Sequence, residues 1–169
     1  MTVEQAIISA LDYEQKVRDH YFKAAKSTDD AKGQEIFTAL GNEEQEHVVY
    51  LKSRLANWHR QGRLDTAVLD SLLPSRAWIQ QGKAKMSAVA FNRSYDTEIQ
   101  MMRDALILEQ EVSGHYRNLV ASLDGDAQLM FRRFLEIEDG HTAIVQAELD
   151  ALEKNGFWFD FAEFNLEMG

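Results

Sequence analysis

Apolar residues recur along the chain with helical spacing in four long stretches, and each stripe is interrupted by a buried-looking glutamate. Val3, Ile7, Ala10, Leu11, Val17, Tyr21, Ala24 and Ala25 share one broad face, with Glu14 in its middle. Thr2-x-x-Gln5 reads as a capping box ahead of this first helix, which the pattern ends near Lys26. Ser27-Thr28-Asp29-Asp30 supplies a turn and the next N-cap. A second helix is predicted from about Ala31 to Arg60, stopped by Gly62. Its inner face carries Ile36, Phe37, Leu40, Glu44, His47, Val48, Leu51 and Leu55, and Glu43 and Glu46 are expected in solvent.

Periodicity weakens over residues 62–96. Leu64 to Leu73 and Ser75 to Met86 read as short helices on either side of Pro74, within a long crossover connection. Asp96 is the expected N-cap of a third helix, with Met102, Ala105, Leu106, Glu109, Val112, Tyr116, Leu119 and Val120 inward, ending near Ser122. Leu123-Asp124-Gly125-Asp126 reads as turn and cap. A fourth helix runs from about Ala127 to Lys154, with Phe131, Phe134, Leu135, Glu138, His141, Val145, Leu149 and Leu152 inward, and Asn155-Gly156 stops it. The expected fold is an all-α four-helix bundle over residues 1–156. The long connection makes the second and third helices parallel. Residues 157–169 form an aromatic-rich C-terminal tail with Phe157, Trp158, Phe159, Phe161 and Phe164, expected to strap the bundle or to contact another subunit.

The two halves repeat. Ala10-Leu11, Glu14, Val17 and His20-Tyr21 match Ala105-Leu106, Glu109, Val112 and His115-Tyr116. Phe37, Leu40, Glu44, His47, Leu51 and Leu55 match Phe131, Phe134, Glu138, His141, Val145 and Leu149. Glu44-x-x-His47 and Glu138-x-x-His141 each place a carboxylate and an imidazole one turn apart on one helix face. Glu43 could compete for His47, but its equivalent is Ile137, so the repeat selects Glu44. Any single Glu could sit on a helix shoulder and any single His could be a core residue. Four Glu and two His in matched register point instead to one site. Unpaired carboxylates are costly to bury, and four together repel one another. Two divalent cations balance their charge. Carboxylate oxygens with one imidazole per metal suit Fe or Mn, in the carboxylate-bridged arrangement found inside helix bundles.

Composition narrows the alternatives. The 169 residues are 45% hydrophobic and 27% charged, with one proline, which suits one soluble helical domain. A net charge of -10 argues against nucleic acid and anionic membrane as partners. There is no cysteine, which excludes disulfides, thiolate catalysis and a Cys₄ iron site within the chain. No secretory leader or membrane span is read from the pattern, so a cytoplasmic protein is expected.

The motifs Ala-Leu-x-x-Glu-x₆-Tyr, at Ala10 to Tyr21 and Ala105 to Tyr116, and Phe-x-x-Leu-x-x-x-Glu-x-x-His, at Phe37 to His47 with the similar Phe131 to His141, make the chain resemble ferritin-like di-iron proteins of the rubrerythrin type. The resemblance implies Glu14, Glu44 and His47 mainly on one metal and Glu109, Glu138 and His141 mainly on the other. It implies that Glu44 and Glu138 bridge, and that Tyr21 and Tyr116 hydrogen-bond ligand carboxylates; core packing is the other role open to these tyrosines. Two family features are missing: a rubredoxin domain, and the Glu one turn after the third-helix ligand, where Val112 stands. The site therefore resembles the simpler, symmetric six-ligand version. His20, His59 and His115 lie off the inner face and are expected at a surface or interface. The leading functional expectation is an oxidoreductase with two Fe ions, Mn possible at either position, that reacts with O₂ or peroxide. It implies an external electron donor and a homodimer. A non-catalytic iron-handling protein and a metal-stabilised interaction module are the alternatives.

Overall fold

The computed structural model describes residues 1–64, 69–71, 73–74, 79–80 and 94–159. Four helices make the bundle: α1 (Val3–Ser27), α2 (Ala31–Gln61), α3 (Asp96–Ser122) and α4 (Gly125–Asn155). Thr2 and Gln5 cap α1 reciprocally, each side chain bonding the other's backbone N–H. Asp30 caps α2 by accepting from Gly33 N. Gly62 and Gly156 take left-handed backbone at the C-termini of α2 and α4, where a side chain would be strained. Two predicted starts shift. Tyr95 is the N-cap of α3, and Asp96 is already helical and accepts from Ser94 Oγ. The fourth helix starts at Gly125 after Asp124, so Asp126 lies in its first turn.

The residues linking α1 to α2 and α3 to α4 are too few for anything but antiparallel neighbours. Across the α1–α3 seam, residue numbers run in opposite senses: Ser9 meets His115, Lys16 meets Glu111 and Thr28 meets Glu98. With α1 antiparallel to both, α2 and α3 run the same way, as expected for helices joined by a long crossover. Most of that connection lies outside the described residues; of the two short helices expected in it, residues 64, 69–71 and 73 of the first are described and not helical, 79–80 of the second are helical, and Leu64, Leu69 and Ile79 are buried against the core. No described helix is long and apolar enough to cross a membrane.

Every residue of the four predicted stripes is buried or partly buried in one continuous core. Close helix approach is set by Gly41, where a Cβ would meet the Phe22 ring at 2.8 Å. The first residues of the tail pack onto the end of the bundle. Trp158 donates to Asp30 Oδ1 at 2.8 Å and meets the Phe37 ring edge-on, and Phe159 N donates to the buried Glu148 at 2.7 Å. The tail from residue 160 onward is outside the described residues.

Candidate metal centre

Halfway along the bundle, all four helices aim carboxylates at one another. Glu14, Glu44, Glu109 and Glu138 are buried, as are His47 and His141. The one-turn spacing of each Glu-x-x-His motif places its two side chains on the inward stripe, and the antiparallel α2–α4 pairing brings the motifs face to face. The His47 and His141 rings lie parallel within 2° and 5.2 Å apart.

The carboxylates connect them in a crossed pattern. Glu44 Oε2 is 3.2 Å from His47 Nδ1, and its Oε1 is 2.8 Å from His141 Nδ1. Glu138 repeats this with Oε1 3.3 Å from His47 Nδ1 and Oε2 3.5 Å from His141 Nδ1. Each of these two glutamates thus presents one oxygen to each imidazole. Glu14 Oε2 forms a hydrogen bond with His47 Nδ1 at 2.9 Å. Tyr116 on α3 donates to Glu14 Oε1 on α1, and Tyr21 on α1 donates to Glu109 Oε1 on α3. The tyrosines therefore hold carboxylates of the opposite half, a reciprocity that mirrors the sequence repeat. Tyr116 also stacks on Phe134, which meets His47 edge-on, so both roles open to it are filled.

Among the described residues, Glu44, His47, Glu138 and His141 form a buried group whose ligand atoms lie within 4.8 Å of one another, and it can hold a metal ion. The donor set passes a stricter test. Both oxygens of Glu44 and of Glu138, Glu109 Oε2 and His141 Nδ1 are buried without a hydrogen bond, although several approach a polar neighbour closely. Burying a polar atom unsatisfied is costly. Atoms this close without hydrogen-bond alignment converge on a shared centre, as ligands of a cation do.

Electrostatics divide the cluster into two sets. Burial and the charges of Glu138 and Glu44 raise the Glu14 carboxyl well above the ordinary range, against the opposing pull of His47. Burial and Glu44 do the same to Glu109, against His141. Burial also pushes Glu44 and Glu138 upward, but the imidazoles override it and hold both below the carboxylate range. Burial pushes both histidines down, and carboxylates win again. Glu44 and Glu14 raise His47, and Glu138 and Glu44 raise His141. Burial and the neighbouring carboxylates raise both tyrosines, which remain proton donors.

Other residues depart from the sequence reading or extend it. Glu43, expected in solvent, is only 4% exposed, and its Oε1 lies 4.0 Å from His141 Nε2. The repeat held the signal for this, because its equivalent, Ile137, is an apolar residue that packs in the core. Glu46 is exposed as predicted. His20 and His115 are half-buried in the α1–α3 seam, His20 against Met101 O and His115 against Ser9 and the Tyr13 ring. His59 is exposed and pairs with Glu4. None of the three reaches the cluster. Comparison with protein-family models, with curated proteins and with solved structures finds no match.

Proposed function

We propose that this chain is a dinuclear-metal oxidoreductase resembling the rubrerythrin and ferritin-like proteins, with two Fe ions, Mn being possible at either position. The observation that carries the proposal is the crossed pairing, in which Glu44 and Glu138 each offer one oxygen to each imidazole. That is what two bridging carboxylates between two metals require. Glu14 with His47 would close one position, and Glu109 with His141 the other. Glu14, Glu44, His47, Glu109, Glu138 and His141 would hold a pair of Fe or Mn ions, which would supply two-electron redox chemistry toward O₂ or peroxide, with an external donor needed to restore the reduced state.

The protein's own part is to hold, orient and keep dry. Tyr21 and Tyr116 fix Glu109 and Glu14 through one oxygen of each, leaving the other oxygen for a metal. All six proposed ligands are at most 1% exposed, so solvent is excluded and the charges act at full strength. A homodimer and a cytoplasmic setting belong to the same proposal.

A second reading, an iron-handling protein without turnover, is favoured by Val112. This buried apolar residue stands one turn beyond Glu109, where the rubrerythrin-type proteins that the chain resembles carry an exchangeable carboxylate. Anaerobic Fe(II) loading followed by air, with metal analysis and visible absorption, tests both. Bound iron, a new absorption band and sustained peroxide consumption with a donor support the oxidoreductase. Oxidation that stops after one stoichiometric round supports iron handling. Absence of bound metal, with Glu44→Ala causing no further loss, contradicts both.

A further inference from the structure

The repeat makes the two proposed metal positions look alike, but the far side of each imidazole differs. At both histidines it is Nδ1 that faces the bridging carboxylates. Coordination through Nδ1 leaves the ring proton on Nε2, and a ligating histidine is held and made more basic by an acceptor for that proton. His47 Nε2 and His141 Nε2 are both buried without a hydrogen bond. Behind His141 stands a carboxylate, with Glu43 Oε1 4.0 Å from Nε2. At the position that the repeat pairs with Glu43 stands the apolar, buried Ile137.

We infer that Glu43 is a positioning residue for His141, and that it makes the metal position at His141 the tighter of the two. The inference rests on the dinuclear reading above. The separation of 4.0 Å is longer than a hydrogen bond. With a metal on Nδ1 the ring keeps its proton on Nε2, and Glu43 is the acceptor that can close on it. Glu43 also lines a cavity of about 440 Å³ with Glu46, Tyr50, Arg54, Leu69 and Asp70. Glu43 thus borders both that cavity and the imidazole without entering the ligand set itself.

Anaerobic titration of the full chain with Mn(II), read by the electron paramagnetic resonance of the free ion, tests this. The natural chain should bind in two steps separated by roughly 10–100-fold, the usual effect of such an outer partner on metal affinity. Glu43→Ile puts at this position the residue type that the repeat carries at Ile137. It should weaken only the tighter step until the two coincide, with the helical circular dichroism of the metal-free protein unchanged. Glu43→Gln keeps a carbonyl acceptor and should preserve most of the separation. Two equal steps in the natural chain, or a Glu43→Ile variant in which both steps weaken alike, would overturn the inference. Two separated steps untouched by Glu43→Ile would overturn it while leaving the dinuclear reading intact. Failure of the natural chain to bind Mn(II) would overturn both.

Discussion

Metal loading of this bundle should expel protons, and their number follows from the arrangement of charge. Glu14 and Glu109 are held well above the ordinary carboxylate range, chiefly by burial, which favours their protonated form in the metal-free protein. His47 and His141 are held well above the ordinary imidazole range by the carboxylates around them, which favours their charged form. Glu44 and Glu138, depressed by those imidazoles, are anions. The metal-free cluster is thus electrically balanced. Ligation needs deprotonated imidazole and carboxylate. With those forms populated, two divalent ions displace one proton from each of Glu14, Glu109, His47 and His141, and the loaded cluster is again balanced. Each displaced proton changes the binding free energy by about 1.4 kcal/mol per pH unit. Lowering the pH by one unit should thus weaken the filling of both positions by about 10⁴ overall, or about 10² per ion. Calorimetric titration with Mn(II) near pH 7, in buffers of different ionisation enthalpy, measures the protons directly. About four per chain are expected. Release of fewer than about one proton, or an affinity indifferent to pH between about 6.5 and 7.5, would refute this charge assignment.

The same groups give the metal-free protein an unusual pH response. Above the ordinary carboxylate and imidazole ranges, the folded chain keeps protons on Glu14, Glu109, His47 and His141 that the unfolded chain releases, so stability falls as pH rises toward the folded values. The depressed Glu44 and Glu138 act oppositely, but their contribution is lost only as pH falls through their low folded values. Thermal unfolding of metal-free protein should therefore show a midpoint that drops from about pH 6 to pH 9, and a rising midpoint would contradict it. Glu44→Ala leaves two buried imidazoles short of their shared counter-charge, so it should abolish metal retention and cost the metal-free protein about 3–5 kcal/mol in chemical denaturation. Tyr21→Phe and Tyr116→Phe each strand a buried carboxylate oxygen while keeping the ring. Each should cost about 1–3 kcal/mol in the same assay, by nearly equal amounts, because the two sites are related by the repeat.

Much of this was legible from periodicity. The stripes place Glu14, Glu44, Glu109 and Glu138 inward because a helix facing a core on one side commits every third or fourth residue to it, and the bundle follows that geometry closely. What the stripes could not show is burial that depends on a second neighbour. Glu43 lies 100° around α2 from Glu44, on a flank that a two-helix contact would leave wet. It is buried where its carboxylate comes within 4.0 Å of His141 of α4, and it shares a cavity lining with Leu69 and Asp70 of the long connection. Glu148 is buried for a similarly remote reason, since its carboxylate accepts from the backbone of Phe159, beyond the end of its own helix. Glu98, in the first turn of α3, is buried through a hydrogen bond at 2.5 Å from Thr28, which precedes α2. Contacts of this kind depend on where separate segments dock, and no single-helix pattern records them.

The central claim is that two ions lie between His47 and His141, bridged by Glu44 and Glu138. A crystal structure of Fe(II)- or Mn(II)-loaded protein, with anomalous scattering measured at the metal edge, tests it most directly. Two anomalous peaks should appear about 3.5–4 Å apart, one beside each Nδ1, with Glu44 and Glu138 each contributing an oxygen to both. A single peak, a peak on the Nε2 side of either ring, or no peak within the cluster would contradict the account.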